Sequence, residues 1–97
     1  MFFIDTESGR VATHRQLIAE SVASDVELPP RPWLRIQGPS DASTMWYAVV
    51  RKRERGVFIG ALVLRHTPHH ALLLERGWED VPLGDIGETA PSPVEGW

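Results

Sequence analysis

The chain has no cysteine, one tyrosine and, among its ten basic residues, a single lysine, in 97 residues. The first of these absences excludes most. Without a thiol there is no disulfide framework and no thiolate metal site, which fits a reducing compartment and makes the cytoplasm the expected location. Long apolar runs are missing as well. The longest, Val57 to Leu64, is far below the roughly 18 residues a membrane span needs, and the start lacks the basic-then-apolar layout of a signal peptide, so no membrane association is expected. A strong charge of either sign is also absent. At −3 the net charge lies nearer neutrality than that of strongly basic nucleic-acid binders or strongly acidic DNA mimics.

Catalytic signatures are scarce too. There is no nucleophile-elbow pattern and no phosphate-cradling Gly-rich loop with its Lys, and Ser40, Ser43 and Thr44 beside Asp41 read as turn chemistry. Glu79 and Asp80, adjacent in an extended segment, point opposite ways and do not make an acid and base couple. The expectation is therefore no enzyme, no catalytic residue and no cofactor.

What is present fits one small domain. A chain of this size buries about two thirds of the surface it exposes when unfolded, and 42% hydrophobic residues with four Trp and three Phe supply a core. The pattern predicts an α+β fold with an antiparallel sheet of four or five strands and one or two helices packed on it. The domain is expected over residues 1–83. Residues 84–97, with Gly84, Gly87, Pro91, Pro93 and several acids, read as a flexible acidic tail.

Along the chain, FFID reads as a strand, DTESG as a tight turn and RVAT as the returning strand. Thr13 and Gln16 have capping-box spacing, so a helix is expected from His14 to near Ser24, with Leu17, Ile18, Ser21 and Val22 on one stripe. LPPRPW forbids helix, leads into a strand at WLRIQ and aims Trp33 at the core. From Thr44 to Arg65 the pattern predicts two strands of about ten residues joined through RERG. Their middle is apolar on both faces, which calls for cover on both sides. One cover is the first helix. The second is expected from TPHHALLLERG, where Thr67 caps, Pro68 suits the first helical position and Gly77 suits the residue past the end, although ALLLE as a fifth strand competes.

Two stretches carry chemistry. Arg51, Lys52, Arg53, Glu54 and Arg55 hold four of the ten basic residues at a hairpin end, where charge is the ordinary outcome of folding but also suits an acidic partner or a phosphate backbone. His66, His69 and His70 offer imidazoles, yet the Thr67–Pro68 break separates His66 from the helix behind it, so no metal site is assigned. His14 is read the same way. Trp97, a large aromatic at the end of a polar tail, reads as an anchor that folds back on the body or enters a partner pocket, with simple exposure as the third reading.

WYAVVRKRERGVFIGALVLR resembles the central hairpin of acetyltransferases of the GNAT type, and LLLERGWEDV is similar to their late helix-to-strand segment. Those enzymes grip the coenzyme A pyrophosphate with a Gly-rich turn between the two segments. Here HTPHH stands in that place without a glycine, so the resemblance carries no residue over.

By elimination, the expected function is non-enzymatic docking on a larger protein, as inhibitors, immunity-type proteins and phage-encoded regulators do, with Arg51, Lys52, Arg53, Arg55 and Trp97 as partner-binding residues. The alternatives are nucleic-acid backbone binding through the basic tip, and a small enzyme or metal-binding protein. A homodimer through an open edge at RIQ or FFID is a further option.

Overall fold

The computed structural model describes residues 1–39 and 41–82. The tail expected over 84–97, Trp97 included, lies outside the described residues.

The first hairpin forms where the turn residues place it. Strands β1 (Phe2–Asp5) and β2 (Val11–Thr13) pair antiparallel, with Ile4 opposite Val11. Between them the Asp5 carboxylate accepts the N–H groups of Glu7 at 2.8 Å and Ser8 at 3.2 Å. Burial pushes that carboxyl up, but these N–H bonds and Arg10 outweigh it and hold it below the ordinary range. Helix α1 (His14–Ala19) follows at once, capped by Thr13, whose side chain accepts the Gln16 N–H at 3.1 Å. The return arm of a capping box is not made, because Gln16 Nε2 donates to Glu20 Oε2 at 3.0 Å instead.

Helix α1 also stops earlier than its apolar stripe predicts. Glu20 is the C-cap, held by a two-pronged contact with the Arg10 guanidinium, and Ser21 at φ +62° turns the chain away. Strand β3 (Trp33–Arg35) then pairs with the free side of β1, giving the order β2-β1-β3. FFID is thus the central strand of its sheet, with no open edge.

The second sheet grows from the long hairpin. Strands β4 (Tyr47–Glu54) and β5 (Val57–Leu64) are eight residues each rather than ten, since residues 44–46 form a turn in which Tyr47 N–H reaches the Ser43 carbonyl at 2.8 Å. They are joined by Arg55 and Gly56 at φ +53° and +85°, the two left-handed positions of a type I′ turn.

TPHHALLLERG is a helix, and the competing strand does not form. In α2 (Pro68–Glu75), Thr67 is the N-cap and Pro68 the first helical residue. At its far end Gly77, at φ +94°, donates to the Leu74 carbonyl and Trp78 to that of Leu73. Those paired bonds make a Schellman motif and bring Trp78 onto Leu73 in the core. The two-residue β6 (Glu79–Asp80) pairs with β4, giving the order β5-β4-β6.

The architecture is α+β, with two three-stranded antiparallel sheets in place of the expected single sheet of four or five strands. Alternation of side chains explains the layers. Phe3 faces Ala12 and Leu17, so α1 covers the outer face of the first sheet. Phe2 and Ile4 face the other way and meet Val49, Val81 and Phe58 of the second. On the far side, Ala48, Val50 and Val63 pack with Leu73 of α2 and Trp78. The central hairpin is indeed covered on both faces, but its second cover is a sheet and not α1.

The sheets approach closely where glycine permits. A Cβ on Gly9, which sits at φ +81°, would stand 3.0 Å from the Phe58 ring. Gly9→Ala adds that clash to the left-handed backbone strain and is expected to cost about 2–3 kcal/mol. Gly56→Ala, at φ +85° with open space around it, carries the backbone penalty alone, about 1 kcal/mol. Urea denaturation midpoints of the two variants check the difference.

Acid sensitivity follows from the carboxylates. Hydrogen bonds from the Arg10 guanidinium, then from Gln16, hold the Glu20 carboxyl below its ordinary range. A group depressed in the folded state contributes stability above its unfolded pKa and loses it as pH falls through the folded one. The thermal midpoint is therefore expected to exceed that of Glu20→Gln near neutrality, with the gap closing as pH drops through the carboxylate range. Thermal scans across roughly pH 3 to 7 follow the gap.

Candidate functional site

The five residues expected at a contact surface do not share one face. Strand alternation separates them first. Arg51 and Arg53 stand opposite Gly60 and Phe58 and point toward the first sheet, whereas Lys52 points to the α2 side, where its Cε lies 4.0 Å from the Cβ position of Gly77. Arg55 occupies the turn itself and is exposed. Trp97 is outside the described residues.

Arg51 is taken up by the fold. Its Nε donates to Glu79 Oε1 at 2.7 Å and its Nη1 to the Gly9 carbonyl at 2.6 Å. Its side chain is 19% exposed. One guanidinium thus joins β4 to β6 within its sheet and to the first hairpin across the interface. Arg53 lies over the Phe58 ring, 5.4 Å from the centroid, with Arg51 5.8 Å from the same ring. Cation–π contacts at such exposed sites are worth about 0.5–1 kcal/mol. Among the described residues this leaves Arg53 weakly tethered and Arg55 untethered, both exposed, with the exposed Glu54 between them.

Beside the tip runs an open groove of about 550 Å³ lined by Thr6, Glu7, Arg31, Pro32, Leu34 and Val57. Its apolar walls are unusually bare, with Leu34 55% and Val57 44% exposed. Its floor is fixed by Thr6, whose N–H and hydroxyl both donate to the Pro32 carbonyl, at 3.1 and 2.9 Å. The Thr6 carbonyl in turn accepts the Phe58 N–H at 2.8 Å. Tip and groove are therefore held against each other by main-chain bonds. LPPRPW contributes the groove's Arg31 and Pro32 while sending Trp33 into the cluster around Phe3 and Leu17.

The three histidines of HTPHH divide between exposure and burial, with His69 and His70 in the first turn of α2. His66, at φ +59°, and His69 are exposed, but His70 is buried. Its Nδ1 accepts the His66 N–H at 3.3 Å and its Nε2 meets Asp80 Oδ1 at 2.7 Å. With Nδ1 accepting, the neutral ring carries its proton on Nε2 and donates it to the carboxylate. Both ring nitrogens are thereby occupied, so this pair offers no free base. Among the described residues no three His, Cys, Asp or Glu are grouped to hold a metal ion. The only sequence signal for the pair was His70 at the third helical position after the Thr67 cap, next to a strand carrying Asp80.

The chain matches no family model, no curated protein and no solved structure.

Because Arg51 serves two partners that have no other described side-chain donor, Arg51→Met is expected to lower stability by about 1–3 kcal/mol. Arg53→Met, which loses only an exposed ring contact, is expected to cost less than about 1 kcal/mol. Denaturant midpoints at unchanged m-value distinguish the two.

Proposed function

We propose that this chain acts by docking on a larger, acidic protein partner through the tip of the β4–β5 hairpin and the groove beside it. The observation that carries the reading is the conjunction of two exposed cations, Arg53 and Arg55, with an apolar groove whose Leu34 and Val57 walls the core does not use. Exposed aliphatic surface rimmed by charge is the usual composition of a contact site, with the apolar part giving affinity and the cations giving orientation and encounter rate. Arg51 and Lys52 belong to the stem of the hairpin in this reading, the first supporting the tip and the second facing α2. Trp97 remains a proposed second anchor on the same partner.

A protein is favoured over nucleic acid by the charge of the body. Residues 1–82 balance ten basic side chains against ten acidic ones, and Glu7 lines the groove itself. Phosphate binding through a neutral body would rest on two or three arginines, too few for the steep salt dependence of a backbone binder. By elimination, the class proposed is an inhibitor or regulator of immunity or phage type.

The test is capture from host lysate with nuclease present, using the wild-type chain and the Arg53→Glu/Arg55→Glu variant side by side. One protein retained near equal stoichiometry by the wild type is expected to bind the variant about 10–100-fold more weakly, with the thermal midpoint nearly unchanged. Recovery of nucleic acid alone, and only when nuclease is omitted, would assign the tip to a phosphate backbone instead.

A further inference from the structure

We infer that the partner of the docking reading, on which this rests, enters as an extended strand that pairs with the outer edge of β3 and alternates apolar with acidic residues. The groove beside the edge takes the apolar side chains.

Hydrogen-bond direction identifies the edge. In an antiparallel pair, successive residues alternate between bonding the neighbouring strand and pointing away from it. Thr6 N–H donates to the Pro32 carbonyl and Ile36 N–H to that of Phe2, so the even-numbered residues of this segment serve β1. The odd-numbered ones point outward. Trp33 N–H turns back to the Pro30 carbonyl. The Trp33 carbonyl and both main-chain groups of Arg35 and Gln37 have no hydrogen-bond partner among the described residues, since β3 ends the order β2-β1-β3.

Exposure separates this edge from the others. Leu34, Arg35 and Gln37 all lie open to solvent. In β2, by contrast, Val11 and Ala12 are fully buried. The outer side of β5 is closed at Phe58 by its bond to Thr6, and the space over Gly60 is filled by Ile36 and Ile4. Strand β6 has only two residues. The segment from Trp33 to Gln37 spans about 17 Å at the rise of a strand, enough for a guest of five residues.

Side-chain alternation and charge set the occupant. Arg35 stands opposite Phe3, whose side chain faces α1, so its guanidinium lies on that face of the sheet. Leu34 stands opposite Ile4 and lies on the inner face, where it lines the groove. A guest strand alternates in the same way. Its residue opposite Arg35 comes to lie beside a guanidinium that has no ionic partner among the described residues, a place for a carboxylate. The residues on either side of it turn to Leu34 and the groove. There Arg31 and Glu7 offset each other in charge, and the bare walls of Leu34 and Val57 select an apolar side chain. A second copy paired about the centre of the segment would set Arg35 directly against Arg35, a like-charge contact that opposes association.

Two synthetic peptides test the pairing, acetyl-Val-Glu-Val-Glu-Val-amide and its counterpart with lysine in place of glutamate. Each is titrated to millimolar concentration into the full chain while NMR follows the main-chain amides and their exchange. The acidic peptide is expected to shift the Arg35 and Gln37 amides, slow their exchange and bind about 2–5-fold more tightly than the basic one. Arg35→Glu, a change at an exposed position, is expected to reverse that preference with the rest of the spectrum unchanged. Equal affinity for the two peptides, a preference that survives Arg35→Glu, or no response of the Arg35 amide to either peptide overturns the inference. An Arg35 amide already protected before peptide is added assigns the edge to this chain or a second copy of it, and also overturns it. Unchanged capture by Arg53→Glu/Arg55→Glu would sink the docking reading without altering the peptide titration, and an unresponsive edge would sink the strand pairing without altering the capture.

Discussion

The two small sheets hold each other folded through one shared layer, in which Phe2, Ile4, Val11 and Ile36 of the first half meet Val49 and Val81 of the second. An isolated three-stranded sheet with a single short helix has too little apolar surface to offset the entropy of ordering its chain, since each fully buried aliphatic or aromatic side chain contributes only about 1.5–3 kcal/mol. Placed face to face, each sheet buries its inner side against the other and its outer side against a helix. The main-chain bond from Phe58 to Thr6 and the Arg51 bond to Gly9 pin one border of that layer. Gly9 is the point at which they converge, because its missing Cβ is what lets the Phe58 ring lie flat against the first turn.

The two-residue β6 does more than its length implies. Its neighbours in sequence point to opposite faces, so Glu79 reaches Arg51 on the inner side while Asp80 reaches His70 under α2 on the outer side. Val81, the next residue, returns to the inter-sheet layer and donates its N–H to the Val49 carbonyl at 2.8 Å. Three consecutive residues thus tie the helix, the central strand and the shared layer together. The pairing of Asp80 with a buried imidazole is in this sense an architectural contact, with both ring nitrogens fixed by the fold rather than offered to a substrate.

Local chemistry made much of this legible. The Thr13 and Thr67 caps, Pro68 at the helix start, Gly77 past its end and the alternation of the long hairpin are each decided within a few residues. Apolar residues on both faces of β4 and β5 correctly required two covers. What periodicity cannot supply is the identity of a cover, and a strand face satisfied by Phe2 and Ile4 leaves the same sequence trace as one satisfied by a helix. The candidate site suffered from the same limit. RKRER reads as one patch along the chain, but alternation sends Lys52 away from its neighbours, and Glu79, 28 residues distant from Arg51, removes that cation from the surface. The burial of His70 is illegible in the sequence for the same reason, as it depends on Asp80 arriving from a strand too short to carry a pattern.

The surface that remains has a consistent energetic logic. Arg51 is doubly bonded and largely covered, so it stiffens the hairpin below the tip. Arg53 rests on Phe58 by a contact worth only about 0.5–1 kcal/mol, which a carboxylate of the proposed partner would replace with a charge-assisted hydrogen bond of about twice a neutral bond's strength. Among the described residues Arg55 has no such contact to give up. The groove wall at Val57 begins immediately after the turn, and the Thr6 bonds fix its distance from Pro32 and Leu34. In the proposed docking, a partner engaging both features would meet a rigid apolar slot and two cations whose release costs little. That arrangement favours binding because most of the ordering entropy has already been spent in folding.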